Sequence, residues 1–103
     1  MGILQQNCNT NNILTENGFK YKPRSVTGDL KNCFEKCIDL GLYCAWIAVN
    51  TDTRRVLIYV EYDCGGEVAR YTTNLLHLWK DSEKAFFEEL DEYVTDRLEY
   101  YRE

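Results

Sequence analysis

Apolar residues recur along this chain with two different periods, and the changes between them mark out its elements. Tyr43 to Val49 (Tyr-Cys-Ala-Trp-Ile-Ala-Val) is almost continuously apolar, as a strand covered on both faces would be. Asn50 to Arg54 is turn chemistry. Val56, Ile58, Val60 and Tyr62 then alternate onto one face, which predicts a second strand folded back on the first. Asp63-Cys64-Gly65-Gly66 turns the chain again, and Glu67 to Thr72 predicts a third strand. Upstream, Leu30, Cys33, Phe34, Cys37 and Ile38 fall at i, i+3, i+4, i+7 and i+8, a spacing that predicts a helix. Thr27 or Asp29 is a suitable N-cap for it, and Gly41 a suitable stop.

A second, longer helix is predicted from Asp81 or Ser82 to Glu103, with Phe86, Leu90, Tyr93, Val94, Leu98 and Tyr101 along its apolar side. Arg97 falls inside that stripe, which predicts that it snorkels or pairs with a carboxylate of the sheet. Leu75 to Trp79 fits either an extension of the third strand or the first turns of this helix. Phe19-Lys20-Tyr21-Lys22 alternates aromatic and basic residues and predicts a short edge strand stopped by Pro23. Residues 1–18 are rich in Asn and Gln and form an irregular polar lead-in. The predicted order is αβββα. It describes one α+β domain over residues 19–103, a three-stranded antiparallel meander with the extra edge strand at 19–22, packed against both helices.

Composition agrees with a folded domain, at 45% hydrophobic and 28% charged residues. No apolar run approaches the ~20 residues of a membrane span. Met1 to Gln6 lacks the charged and apolar blocks of a signal peptide, and the five cysteines are an odd number. A cytoplasmic protein with reduced thiols is expected.

Charge changes the picture more. From Asp81 to Glu103 the chain has nine acids and three bases, whereas residues 1–80 have eight acids and nine bases. On a helical wheel Glu88, Glu92, Asp96, Glu99 and Glu103 form one stripe opposite the apolar side, flanked by Glu89 and Asp91. The carboxylates of this segment come at about one per 4 Å of helix, close to the ~3.4 Å axial spacing of phosphates on a DNA strand. Like charges at i, i+4 oppose helix formation, so the stripe is either a solvated surface or a docking feature.

Other chemistry is thinner. Cys33 and Cys37 lie four apart, compatible with two zinc ligands on a helix, and Cys44, Cys64 or His77 would complete the set. Placed in the apolar stripe of that helix, however, both thiols read as small hydrophobes. Cys64 as nucleophile with His77 as base is a second candidate, without an orienting third group. Lys20, Lys22 and Arg24 with Phe19 and Tyr21 make a basic-aromatic patch that suits either base stacking or protection of a sheet edge. No Ser-His-Asp set or phosphate-cradling loop is present, and no cofactor or metal is expected.

A small acidic α+β protein with a carboxylate-rich helix and no catalytic set resembles two groups of proteinaceous inhibitors. One is the phage-encoded anti-CRISPR proteins that occupy nucleic-acid grooves of CRISPR effector nucleases; the other is the immunity proteins that neutralise nuclease toxins. The resemblance implies a non-enzymatic inhibitor acting in the cytoplasm by nucleic-acid mimicry, and its first group implies a phage-encoded one acting in the host cell. Its partner would be the basic nucleic-acid-binding surface of a protein, and the contact residues would be Glu88, Asp91, Glu92, Asp96, Glu99, Tyr100 and Glu103. The rival readings are a cysteine- or zinc-dependent enzyme and a homo-oligomeric assembly protein.

Overall fold

The computed structural model describes residues 12–74 and 83–102. Five strands, β1 (Lys20–Arg24), β2 (Lys31–Asp39), β3 (Tyr43–Asn50), β4 (Arg55–Tyr62) and β5 (Glu67–Asn74), lie in sequence order in one antiparallel sheet. Helical residues 12–16 (α1) precede the sheet. Helix α2 (Glu83–Leu98) follows it and tightens into a single 3-10 turn at Glu99–Tyr101. The architecture is α+β.

The helix expected over residues 30–38 is strand β2. Its apolar residues come as adjacent pairs four apart, Cys33-Phe34 and Cys37-Ile38. Four is a whole number of strand periods as well as about one helical turn, so the same spacing serves a strand with side chains on both faces. Phe34 and Ile38 pack on the main core, whereas Cys33 belongs to a second cluster on the opposite face. The expected N-cap residues instead build the β1–β2 turn. There the Asp29 amide donates to Thr27 Oγ1, and the Leu30 amide donates to Ser25 Oγ. Gly41, at φ 86°, turns the chain between two strands rather than ending a helix.

The sheet is therefore five-stranded rather than three-stranded. The predicted edge strand is present, but it runs through Pro23 to Arg24; the pairing with β2 skips Pro23, opposite which Asn32 adopts φ 48°. Helical residues 12–16 place Leu14 at 0% exposure in the core, where an irregular lead-in was expected. Leu75–Trp79 and the expected helix start at Asp81 or Ser82 lie outside the described residues.

The main core lies between one sheet face and α2. Ile47 and Val49 of β3 and Val56, Ile58 and Val60 of β4 meet Phe86, Leu90, Val94 and Leu98. The opposite face holds a smaller cluster of Leu30, Cys33, Ala48 and Leu57. Two contacts hold the β1–β2 loop to that face. The buried Glu35 carboxylate accepts the Val26 amide at 2.8 Å, and Arg70 of β5 pairs with Asp29. Among the described residues, no helix is long and apolar enough to cross a membrane.

Candidate functional site: the acidic face of α2

Helix α2 contains six acids and two bases in its 16 residues. Its position is set by burial: Phe86, Leu90, Val94 and Leu98 are each nearly or wholly removed from solvent. That fixes the rotation of the helix and turns Glu88, Asp91, Glu92 and Asp96 outward, all exposed. Glu99 is exposed on the 3-10 turn, and Tyr100 beside it is 87% exposed. Glu103 lies outside the described residues. Glu89, half-buried, borders a shallow depression of about 280 Å³ with Glu92, Tyr93 and Asp96.

The helix ends at Leu98 because the next residues are tied to the sheet. The Tyr101 hydroxyl shares a 2.8 Å hydrogen bond with that of Tyr71 on β5, and its ring meets Tyr43 of β3 edge-on at 5.2 Å. The hydrogen bond to Tyr71 and burial push the Tyr101 hydroxyl up to about 12. A continuous α-helix to Glu103 does not form, so the regular part of the row spans 16 residues, or ~24 Å.

Arg97 does not pair with a sheet carboxylate. Its guanidinium lies over the rings of Tyr93 at 5.0 Å and Tyr71 at 5.9 Å. Its carboxylate contact is with Asp96 of its own helix at 3.6 Å, and this is the one ion pair of α2 among the described residues. Residues 12–74 are balanced at eight acids and eight bases, so the described sheet portion does not offset the helix.

The thiols do not assemble a site. Cys33 and Cys37 are four residues apart on an extended strand, or ~13 Å, which removes the shared-ligand geometry a helix would have supplied. Cys33 is buried, and burial together with Glu35 pushes its thiol up to about 11. Cys37 was expected inside an apolar stripe but is exposed, and desolvation raises its thiol too. Desolvation and the 3.4 Å hydrogen bond to Asp63 push Cys44 up to about 11. A nucleophilic thiol requires the opposite shift. Cys64 is exposed in the β4–β5 turn, whereas His77 lies outside the described residues. Among the described residues, no three His, Cys, Asp or Glu side chains gather to hold a metal ion.

In the basic-aromatic patch, Phe19 is a core residue with Lys36 over its ring at 5.7 Å, so its face is not free to stack a base. Lys20, Lys22 and Arg24 are exposed on edge strand β1, where their charge discourages further strand pairing.

The sequence reading overlooked a group of tyrosines where the C-terminal turn meets the sheet. Tyr43 stacks on Tyr62 at 5.5 Å and meets Tyr101, which meets Tyr100 edge-on at 5.1 Å. Of these, only Tyr100 was singled out for contact; the signal available was the count of eight tyrosines. Comparison with protein-family models, with curated proteins and with solved structures gives no match to this chain.

Proposed function

We propose that this protein is a non-enzymatic binding protein that inhibits a nucleic-acid-handling protein by presenting the acidic face of α2 to a basic groove. A CRISPR effector nuclease is the preferred partner, and a nuclease toxin the second. The observation that carries this reading is the outward row of Glu88, Asp91, Glu92, Asp96 and Glu99, held at fixed rotation by a fully buried opposite side. Row and groove attract at long range, so association is fast and weakens with salt. A rigid row also loses less entropy on docking than a loose acidic tail does.

The test is displacement of labelled DNA or guide RNA from a panel of CRISPR effectors and nuclease toxins. The intact chain is expected to compete with at least one of them, and the fourfold variant Glu88→Lys, Glu92→Lys, Asp96→Lys, Glu99→Lys to lose that competition while keeping its circular dichroism spectrum. Equal competition by a folded variant, or none by the intact chain across the panel, refutes the mimicry.

A further inference from the structure

Three of the five large hydrophobic side chains exposed on the described surface, Leu42 at 65%, Tyr62 at 48% and Tyr100 at 87%, sit at one end of the molecule. Contacts join them into one surface. Leu42 precedes Tyr43, which stacks on Tyr62, and the Leu42 carbonyl accepts the Asp63 amide at 2.9 Å. Through Tyr101 the surface continues to Tyr100 and so to the end of the acidic row. Exposed tyrosines in such a group mark an interface more often than isolated ones do.

The charges beside these rings say what would cover them. Exposed Glu99 adjoins Tyr100 in the chain, and exposed Asp63 adjoins Tyr62. Asp39 and Arg102 border a cavity of about 360 Å³ at the same end. Three of these four charged groups are carboxylates. Elsewhere the chain covers its tyrosine faces with its own guanidinium groups, Arg97 over Tyr93 and Tyr71 and Arg70 over Tyr59 at 5.4 Å. No described cation covers Tyr100 or Tyr62 in the same way.

We infer that the tyrosine end is a docking surface for arginine side chains of a basic partner protein. This rests on the acidic-row reading and adds a division of labour to it. The row attracts any polycation, while the rings with their neighbouring carboxylates select guanidinium over ammonium. A planar, weakly hydrated guanidinium stacks on an aromatic face and bonds a carboxylate at its edge, whereas a compact ammonium remains hydrated.

Fluorescent nona-arginine and nona-lysine peptides of equal charge, titrated with the full chain, test this. The arginine peptide is expected to bind about five- to tenfold more tightly. Tyr100→Ala is expected to erase most of that preference, and Tyr62→Ala with Tyr100→Ala all of it, with lysine-peptide affinity unchanged. Tyr100 is exposed enough that its truncation leaves the fold intact, so the single variant remains decisive if the double one unfolds. Equal affinity for the two peptides, or a preference that survives Tyr100→Ala and the double variant, overturns the inference and leaves the acidic row standing. Failure of the intact chain to bind either peptide overturns both.

Discussion

Leu90 and Glu92 are two residues apart on α2 and belong to opposite sides of it, so truncating each one separately tests how the helix is held. Leu90 is 1% exposed and packed in the main core. Leu90→Ala removes its buried methyl groups and leaves a cavity, a change that costs ~2–5 kcal/mol. Against a total stability of ~5–15 kcal/mol this is a large fraction. For a domain of this size, a loss of ~3 kcal/mol lowers Tm by ~12–24 °C. Glu92 is exposed and stands four residues from both Glu88 and Asp96. Each like-charge pair is unfavourable by ~0.2–0.5 kcal/mol, and alanine is the better helix former. Glu92→Ala is therefore expected to be neutral or stabilising by up to ~1 kcal/mol, with the gain shrinking in 1 M salt as screening tightens to ~3 Å. Urea unfolding followed by far-UV circular dichroism, at low and high salt, measures both. A Leu90→Ala cost below ~1 kcal/mol would mean that α2 is not docked through this side. A comparable loss from Glu92→Ala would mean that the row is internally paired rather than open, and the docking proposal would fail with it.

Two further outcomes follow from buried polar groups. Tyr101 has its hydroxyl raised from an ordinary 10.0 to about 12, so its contribution to stability is complete below pH 10 and is lost as pH rises through 10 toward 12. Denaturant titrations across that window are expected to show stability falling, with a shallower fall for Tyr101→Phe; equal slopes would refute the assignment. Asn50 is nearly buried, accepts the Asp52 and Thr53 amides at 2.9 Å each, and donates to the Lys31 carbonyl at 2.6 Å. Asn50→Ala is expected to cost ~2–4 kcal/mol by denaturant unfolding, since it leaves these groups without their partner; a loss below ~1 kcal/mol would show that the β3–β4 turn holds itself.

How far the fold was legible depended on whether one period excluded the other. Val56, Ile58, Val60 and Tyr62 alternate in a way no helix face can match, and β4 forms with Val56, Ile58 and Val60 in the helix-covered core, whereas Tyr62 at its end is exposed. The apolar side of α2 was equally unambiguous: Glu88, Glu92 and Asp96 share the even parity of Phe86, Leu90, Val94 and Leu98, so a strand would mix acids with apolar residues on one face and only a helix separates them. Residues 30–38 fit both. What separated the alternatives was tertiary: Glu35 is buried because the Val26 amide needs an acceptor, and Lys36 is half-buried because it covers the Phe19 ring. No local pattern announces such partners. The candidate site was legible in its charge but not in its end point. Periodicity carried the helix through Glu103, whereas the ties from Tyr101 to Tyr71 and Tyr43 stop it at Leu98. Those ties join residues 30 and 58 positions apart, a distance no window along the chain spans.

The same ties explain how a helix so unfavourable in isolation becomes a fixed row. Glu88, Glu92 and Asp96 repel in series, and Asp96 and Glu99 stand near a C-terminus where the helix dipole disfavours negative charge. Each of these terms is a few tenths of a kcal/mol, whereas each fully buried Phe, Leu or Val on the other side contributes ~1.5–3 kcal/mol. Four such side chains on α2, with Tyr101 beyond them, outweigh the repulsion several-fold. The balance has a structural consequence. Because the helix is held by contacts on one side only, the repulsion cannot be relieved by rotating or unwinding it without exposing that side. It is relieved instead by whatever cations approach from solvent, so the energy that opposes the free helix becomes part of the affinity for a basic partner. An uncharged α2 docked through the same leucines would be more stable and would lack that attraction. Conversely, a flexible tail of the same composition would keep the charge but lose the spacing. The anchoring side and the acidic side are thus two requirements of one device, and the tyrosine end is where they meet.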